Sequence, residues 1–239
     1  MKGRSSGTDD LVTELVLANR ILAGQGVLDG FGHVSARHPT NPYAFLISQS
    51  RAPSAVTAAD IMELDLDGNP VVDSGLKAPL ERFIHSEILK ARPDVMAVVH
   101  SHAPAIIPFG VTAAGLRAVC HVSAFLGTRT PVFEIRDAFG RGTDLLIRNL
   151  ETGAALARSL ASGPVVLLRG HGNAVVGGSL RLAVYRAIYT ELNARLQAEA
   201  LRLGEVTFLT EDEAANAARS VEGDLSKPWE HWVKQVRLD

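Results

Sequence analysis

Cysteine is almost missing from this 239-residue chain: Cys120 stands alone, which excludes an intrachain disulfide and points to a reducing, cytoplasmic setting. An excess of charge of either sign is missing too. Lys and Arg number 24 against 26 Asp and Glu, a formal net charge of −2, so nothing recommends nucleic acid or a membrane surface as partner. No apolar run approaches the roughly 20 residues that span a bilayer, and residues 1–8 carry no apolar segment of the secretory kind. Neither a Gly-x-Gly-x-x-Gly between strand and helix nor a Gly-Lys-Ser phosphate loop occurs, and there is no repeat, low-complexity linker or domain boundary. What remains is a chain that is 46% hydrophobic, rich enough to bury a core. It is expected to form a single domain over residues 1–239 and to act on a small molecule.

The first third reads as helix followed by short strands. Thr8 is placed to cap a helix carrying Leu11, Leu15, Ala18 and Leu22, stopped at Gly24 and Gly26. After Gly30 and Gly32, residues His33, Ser35 and Arg37 alternate and would share one face of extended chain, a pattern that alone fits a solvated hairpin edge. Strands are expected at 45–48, 61–66 and 71–72, with Arg51 in the polar loop after the first of them. From Pro79 the period changes to that of a helix, with Phe83, Ile84, Ile88 and Leu89 apolar, Glu81 near the start and His85 one turn on. An acidic residue there also suits the helix dipole without any further role.

A strand over 95–102 then ends in His100 and His102, whose spacing puts both imidazoles on one face. By itself the pair fits either a metal chelate or two polar residues at a strand end. Beyond it lie a helix or strand carrying His121, a loop at 136–142, a helix from about Thr143 to Ala161 and a buried strand at 164–168. That strand runs into His171 between Gly170 and Gly172. Ser179 caps a long helix to Leu203, and Thr210 with Glu213 forms a capping box for the last one. Taken together, Glu81, His100, His102 and His171 are the donor set of a catalytic metal site with a position left open. Three imidazoles and an oxygen serve Zn²⁺, Mn²⁺, Fe²⁺ and Co²⁺ alike, and Mn²⁺ or Zn²⁺ is the expected cofactor.

These segments (residues 79–85, 92–102 and 168–172) resemble the class II aldolase/adducin family, whose best known enzyme is L-fuculose phosphate aldolase. The resemblance covers roughly residues 10 to 210. It implies an α/β fold, three-layer α/β/α with a central mostly antiparallel sheet. It further implies a divalent metal on His100, His102 and His171, Glu81 as catalytic carboxylate, and a homotetramer with the active site between subunits.

Where the family's sugar-phosphate enzymes carry Gly-Asn-x-Ser, Ser-Gly and Ser-Ser, this chain has Gly32-His33-Val34-Ser35, Ser50-Arg51 and Ala78-Pro79-Leu80. Hydroxyl and backbone donors for a phosphate are thus replaced by His33, Ser35, Arg37 and Arg51 as candidate substrate-binding groups, and guanidinium suits carboxylate oxygens. His121 falls where aldolases place an aromatic acid from the neighbouring subunit, and is the second candidate catalytic residue. These departures resemble the branch of hydroxypyridine-dicarboxylate and dihydroxyphthalate decarboxylases. The leading expectation is a metal-dependent, non-oxidative decarboxylase of a hydroxylated aromatic or pyridine dicarboxylate. Alternatives are an aldolase for an unphosphorylated or carboxylated sugar and a non-catalytic, adducin-like binding module.

Overall fold

The computed structural model describes residues 6–236; Met1–Ser5, part of the stretch read as lacking an apolar segment, and residues 237–239 lie outside them. Seven strands, β1 (His33–Arg37), β2 (Ala44–Ser48), β3 (Ile61–Asp65), β4 (Ala97–Ser101), β5 (Val132–Phe133), β6 (Val165–Leu168) and β7 (Gly172–Gly177), form one sheet. Its order is β3-β2-β1-β4-β7-β6-β5. Every neighbouring pair is antiparallel apart from β5 with β6, as expected from the resemblance. The helices are α1 (Ser6–Gly24), α2 (Arg82–Ala91), α3 (Ile107–Val111), α4 (Ile135–Phe139), α5 (Leu150–Leu160), α6 (Leu180–Leu203), α7 (Glu211–Glu222) and α8 (Ser226–Val233).

Alternation along the strands divides the core in two. Val99 and Val175 pack with Leu15, Ile21, Val184 and Trp232 from α1, α6 and α8. Their neighbours Val98 and Val176 point the other way, onto Ile84, Ile88 and Leu156 from α2 and α5. The sheet is therefore the middle of three layers, each face hidden by helices. No helix of the described residues is long and apolar enough to cross a membrane.

Several local expectations need correction. β1 is no solvated edge: it lies between β2 and β4, and Val34, Ser35 and Ala36 are buried. Thr8 lies inside α1 and does not begin it. Val71 and Val72 are exposed and join no strand, the chain making only an isolated bridge from Pro70 to Leu64. The helix expected from Thr143 starts at Leu150, where the Asn149 side chain accepts from the Thr152 amide. Before it, Leu145 has φ of +69°, which a helix cannot contain. Part of the loop read at 136–142 is the short helix α4, and the helix that Thr210 caps is not the last, since α8 follows it. β7 was not expected, because glycines at both of its ends read as turn residues.

Candidate metal centre

β4 delivers two histidines to one place because side chains two apart share a face. His100, fully buried, pairs with Ala174 one step before the ladder with β7 ends at Ser101, and His102 follows just past the strand. His171 is carried by the tight turn between β6 and β7. The turn can close on β4 only because residue 172 is glycine: a Cβ there would stand 2.0 Å from the Ser101 carbonyl oxygen. Gly32 plays the same part on the other side of β4. Its φ is +84°, and a Cβ would meet Leu28 Cδ2 at 2.6 Å and the His100 carbonyl at 2.8 Å.

The three Nε2 atoms converge. That of His102 lies 3.2 Å from His100 and 3.0 Å from His171. One carboxylate oxygen of Glu81, Oε2, is 3.4 Å from the Nε2 of both His100 and His171, and one donor atom from each of the four residues falls within a 4.8 Å cluster. Glu81 forms the N-cap of α2, one residue outside the first turn expected for it.

The backbone fixes which nitrogens face inward. His100 Nδ1 lies 2.9 Å from the Asn173 carbonyl and His171 Nδ1 lies 3.0 Å from the Leu145 carbonyl. A carbonyl can only accept, so both Nδ1 atoms carry the proton, and each neutral ring turns an Nε2 lone pair toward the centre. Lone pairs and a carboxylate packed this closely call for a cation between them, and the outer carbonyls orient the rings as metal-bound histidines require. The donor set fits a divalent metal held by His100, His102 and His171. Burial works to raise the Glu81 carboxyl, but a positive charge or N–H presented from the positions of His100 and His171 outweighs it and holds the group ionised, below the usual range; with both rings neutral, a cation between them would supply that charge. Its second oxygen, Oε1, accepts the Ile147 amide at 2.9 Å. Burial first, then the neighbouring His100 and His171, push His102 down to about 4.

A cleft of about 550 Å³ opens on this cluster, lined by Glu81, His102, His33, Arg51, Gln49 and Leu146 among others. His33 and Arg51 are thus brought to the centre. Ser35 is not: it is wholly buried, and its hydroxyl sits 2.7 Å from His85 Nδ1. Arg37 is also elsewhere. Its guanidinium donates to the carbonyls of Val95, Pro42, Leu89 and Arg92 and does not line the cleft. It shares a face with His33, but four residues of strand separate the two by roughly 13 Å. His121 is exposed at the start of a 3-10 segment, His121–Leu126, and is absent from the cleft of its own chain. Reading residue types missed Asn173, Leu145 and Ile147, which act through backbone atoms that no side chain announces. Gln49 and Asp60 were missed as well.

The profile of the Class II Aldolase and Adducin N-terminal domain matches residues 13–198. Decarboxylase tropJ of Talaromyces stipitatus is 36% identical, over 90% of this chain and 90% of its own length. The 3,4-dihydroxyphthalate decarboxylase of Arthrobacter keyseri is 35% identical over 80% of this chain and 78% of its own. Among solved structures, L-fuculose 1-phosphate aldolase from Glaciozyma antarctica superposes with a TM-score of 0.79 at 23% identity, covering 98% of this chain and 94% of that one, which speaks for the fold.

Proposed function

Because the chain belongs to the class II aldolase and adducin family, we propose that it is a divalent-metal-dependent lyase that decarboxylates a hydroxylated aromatic or pyridine dicarboxylate without an oxidant. The observation that carries this reading is the pairing, in one cleft, of an ionised Glu81 beside three convergent imidazoles with the Arg51 guanidinium. Three relatives that match 80% or more of the chain are named decarboxylases, two of them for 3,4-dihydroxyphthalate. We read residues 1–239 as one domain, the protein as cytoplasmic, and its role as the breakdown of aromatic acids.

His100, His102 and His171 would hold Mn²⁺ or Zn²⁺, and the cation would supply Lewis acidity against the negative charge that develops as CO₂ departs. The chain does the rest. Arg51 grips a carboxylate with its planar fork, and His33 offers a neutral imidazole beside it. Glu81, poised as an anion, accepts the proton of the substrate hydroxyl and returns it to the ring carbon as the C–C bond to the carboxylate breaks. The product leaves as a phenolate and takes its proton from solvent, so that one proton is consumed for each CO₂ released. His121 from the neighbouring subunit of a homotetramer is the other candidate donor; its exposure on its own chain supports that assignment.

Incubating Mn²⁺- and Zn²⁺-loaded protein with a panel of hydroxyphthalates and hydroxypyridine dicarboxylates should release CO₂ from at least one of them. No release from any member with either metal refutes the reading. An aldehyde product from a carboxylated sugar would establish the aldolase alternative, and failure to bind either metal the non-catalytic one.

A further inference from the structure

Nine residues beyond Arg51 lies Asp60, a buried acid at the end of a 3-10 turn, Ala58–Asp60, that leads into β3. Its side chain is 5% exposed, and burying a lone carboxylate is costly unless its oxygens are hydrogen-bonded. All of its partners are in place, and they divide by function. Oδ2 accepts the Thr57 amide at 2.8 Å and the Thr57 hydroxyl at 2.7 Å, which closes the turn. Oδ1 accepts Gln49 Nε2 at 2.6 Å and Arg51 Nη1 at 3.1 Å. The Gln49 amide also donates to the Asp60 carbonyl at 2.8 Å. Gln49 and Arg51 both line the cleft on which the metal centre opens, whereas Asp60 does not reach it.

We propose that Asp60 is a positioning residue: it locks Arg51 and Gln49 as a preformed subsite for the second carboxylate of the substrate, the one that is retained when CO₂ leaves. The proposal deepens the decarboxylase reading and rests on it. Among the described residues Arg51 makes this one ion pair, through one nitrogen of its fork. The guanidinium has five N–H donors, so a bidentate face remains for a ligand carboxylate. The Arg51 side chain is 46% exposed, and an arginine that free would lose considerable rotamer entropy on gripping a ligand. Held at Nη1, it meets the ligand already oriented. Gln49 gives its amide hydrogen to Asp60 and keeps its oxygen as an acceptor for a neighbouring hydroxyl. The recognised class is therefore an aromatic acid with two adjacent carboxylates, and a monocarboxylate should fill the cleft without using this subsite.

Orientation and charge make opposite predictions for Asp60→Asn. If Asp60 served only to neutralise Arg51, its removal would leave a net positive wall and tighten the binding of a dianion. If it orients the fork, the asparagine amide must point a donor at either Thr57 or the Gln49–Arg51 pair, and binding weakens. The test is calorimetric titration of the Mn²⁺-loaded protein with phthalate and with benzoate, which reads binding whether or not CO₂ is ever released. The wild type should prefer phthalate, and D60N should lose about tenfold or more of that preference with benzoate affinity unchanged. Arg51→Lys keeps the charge but cannot hold Asp60 and a carboxylate bidentately; it should lose the preference in the same way. Because Lys replaces a half-exposed side chain, R51K decides the matter if D60N fails to melt cooperatively or to bind Mn²⁺. Equal affinity of the wild type for phthalate and benzoate, tighter phthalate binding by D60N, or full preference retained by R51K each overturn the proposal. Normal phthalate selectivity in a protein that releases no CO₂ from any substrate would instead sink the decarboxylase reading.

Discussion

His85 Nε2 lies 2.6 Å from His33 Nδ1, while the other nitrogen of the same ring lies 2.7 Å from the Ser35 hydroxyl. Each short gap has room for one proton. Ser35, His85 and His33 therefore form a chain in which the direction of one hydrogen bond sets the tautomers of both rings, and an extra proton on fully buried His85 would make both of its nitrogens donors, so that His33 Nδ1 and the Ser35 oxygen would both have to accept.

Acid should weaken the metal-free protein well before its carboxylates titrate. Burial, reinforced by His100, pushes His33 down to about 3; burial and His33 hold His85 well below its ordinary value; His102 falls to about 4. Each ring takes up a proton more readily in the unfolded chain. Their stabilisation is complete above the unfolded value of 6.5 and is lost as pH falls through the window toward 4. The slope is up to about 1.4 kcal/mol per pH unit for each histidine. Denaturant melts between pH 8 and pH 4 check it. A flat stability down to pH 5 would contradict neutral histidines in the fold.

Replacing His100 or His171 by Ala should abolish stoichiometric Mn²⁺ or Zn²⁺ binding. Loss of an outer hydrogen bond alone weakens a metal site about 10- to 100-fold, and these substitutions remove a donor directed at the centre by its Asn173 or Leu145 carbonyl. Metal content after dialysis is the measurement; retention of one equivalent by both variants would refute the assignment.

Glu81→Gln should keep its metal and lose turnover by roughly 10²- to 10⁴-fold, the usual contribution of a positioned acid–base group. Gln preserves an acceptor for the Ile147 amide and the shape of the side chain, while giving up the proton that Glu81 carries. Turnover at the wild-type rate would remove Glu81 from the proton path.

Gly32→Ala should destabilise the fold and loosen the centre together. The left-handed backbone alone costs a side-chain-bearing residue about 1–2 kcal/mol, and the added Cβ overlaps the His100 carbonyl at 2.8 Å. A fall in melting temperature of roughly 2–4 °C for each kcal/mol is expected for a chain of this size. Loss of metal affinity beyond that of a surface control such as Gly7→Ala, whose Cβ would meet nothing within 4 Å, separates the local effect from the global one.

How legible was this in the residues alone? The cluster was legible because local patterns announce its imidazoles: His100 and His102 by the alternation that runs to the end of β4, His171 by the glycines that leave its turn room. Sharing a face did not mean sharing a site. His33, Ser35 and Arg37 alternate correctly along β1, yet one lines the cleft, one backs His85 and one binds the carbonyls at the far end. Leu145 and Ile147 contribute only backbone atoms, in a conformation that no propensity favours for leucine. The strand β7 hid behind its glycines, whose real purpose is the close approach of Gly172 to Ser101.

That pairing of β4 with β7 also sets the order of events in time. His102 and His171 meet across a sequence separation of 69, and Glu81 and Ile147 across one of 66. Loops of that length must close before either contact repays the lost entropy, and such non-local pairings slow folding. No fragment ending short of β7 can assemble the three imidazoles. A cation held by all three imidazoles would therefore bind fully only once β7 has docked on β4, and would act from then on as a clasp that slows the sheet's opening.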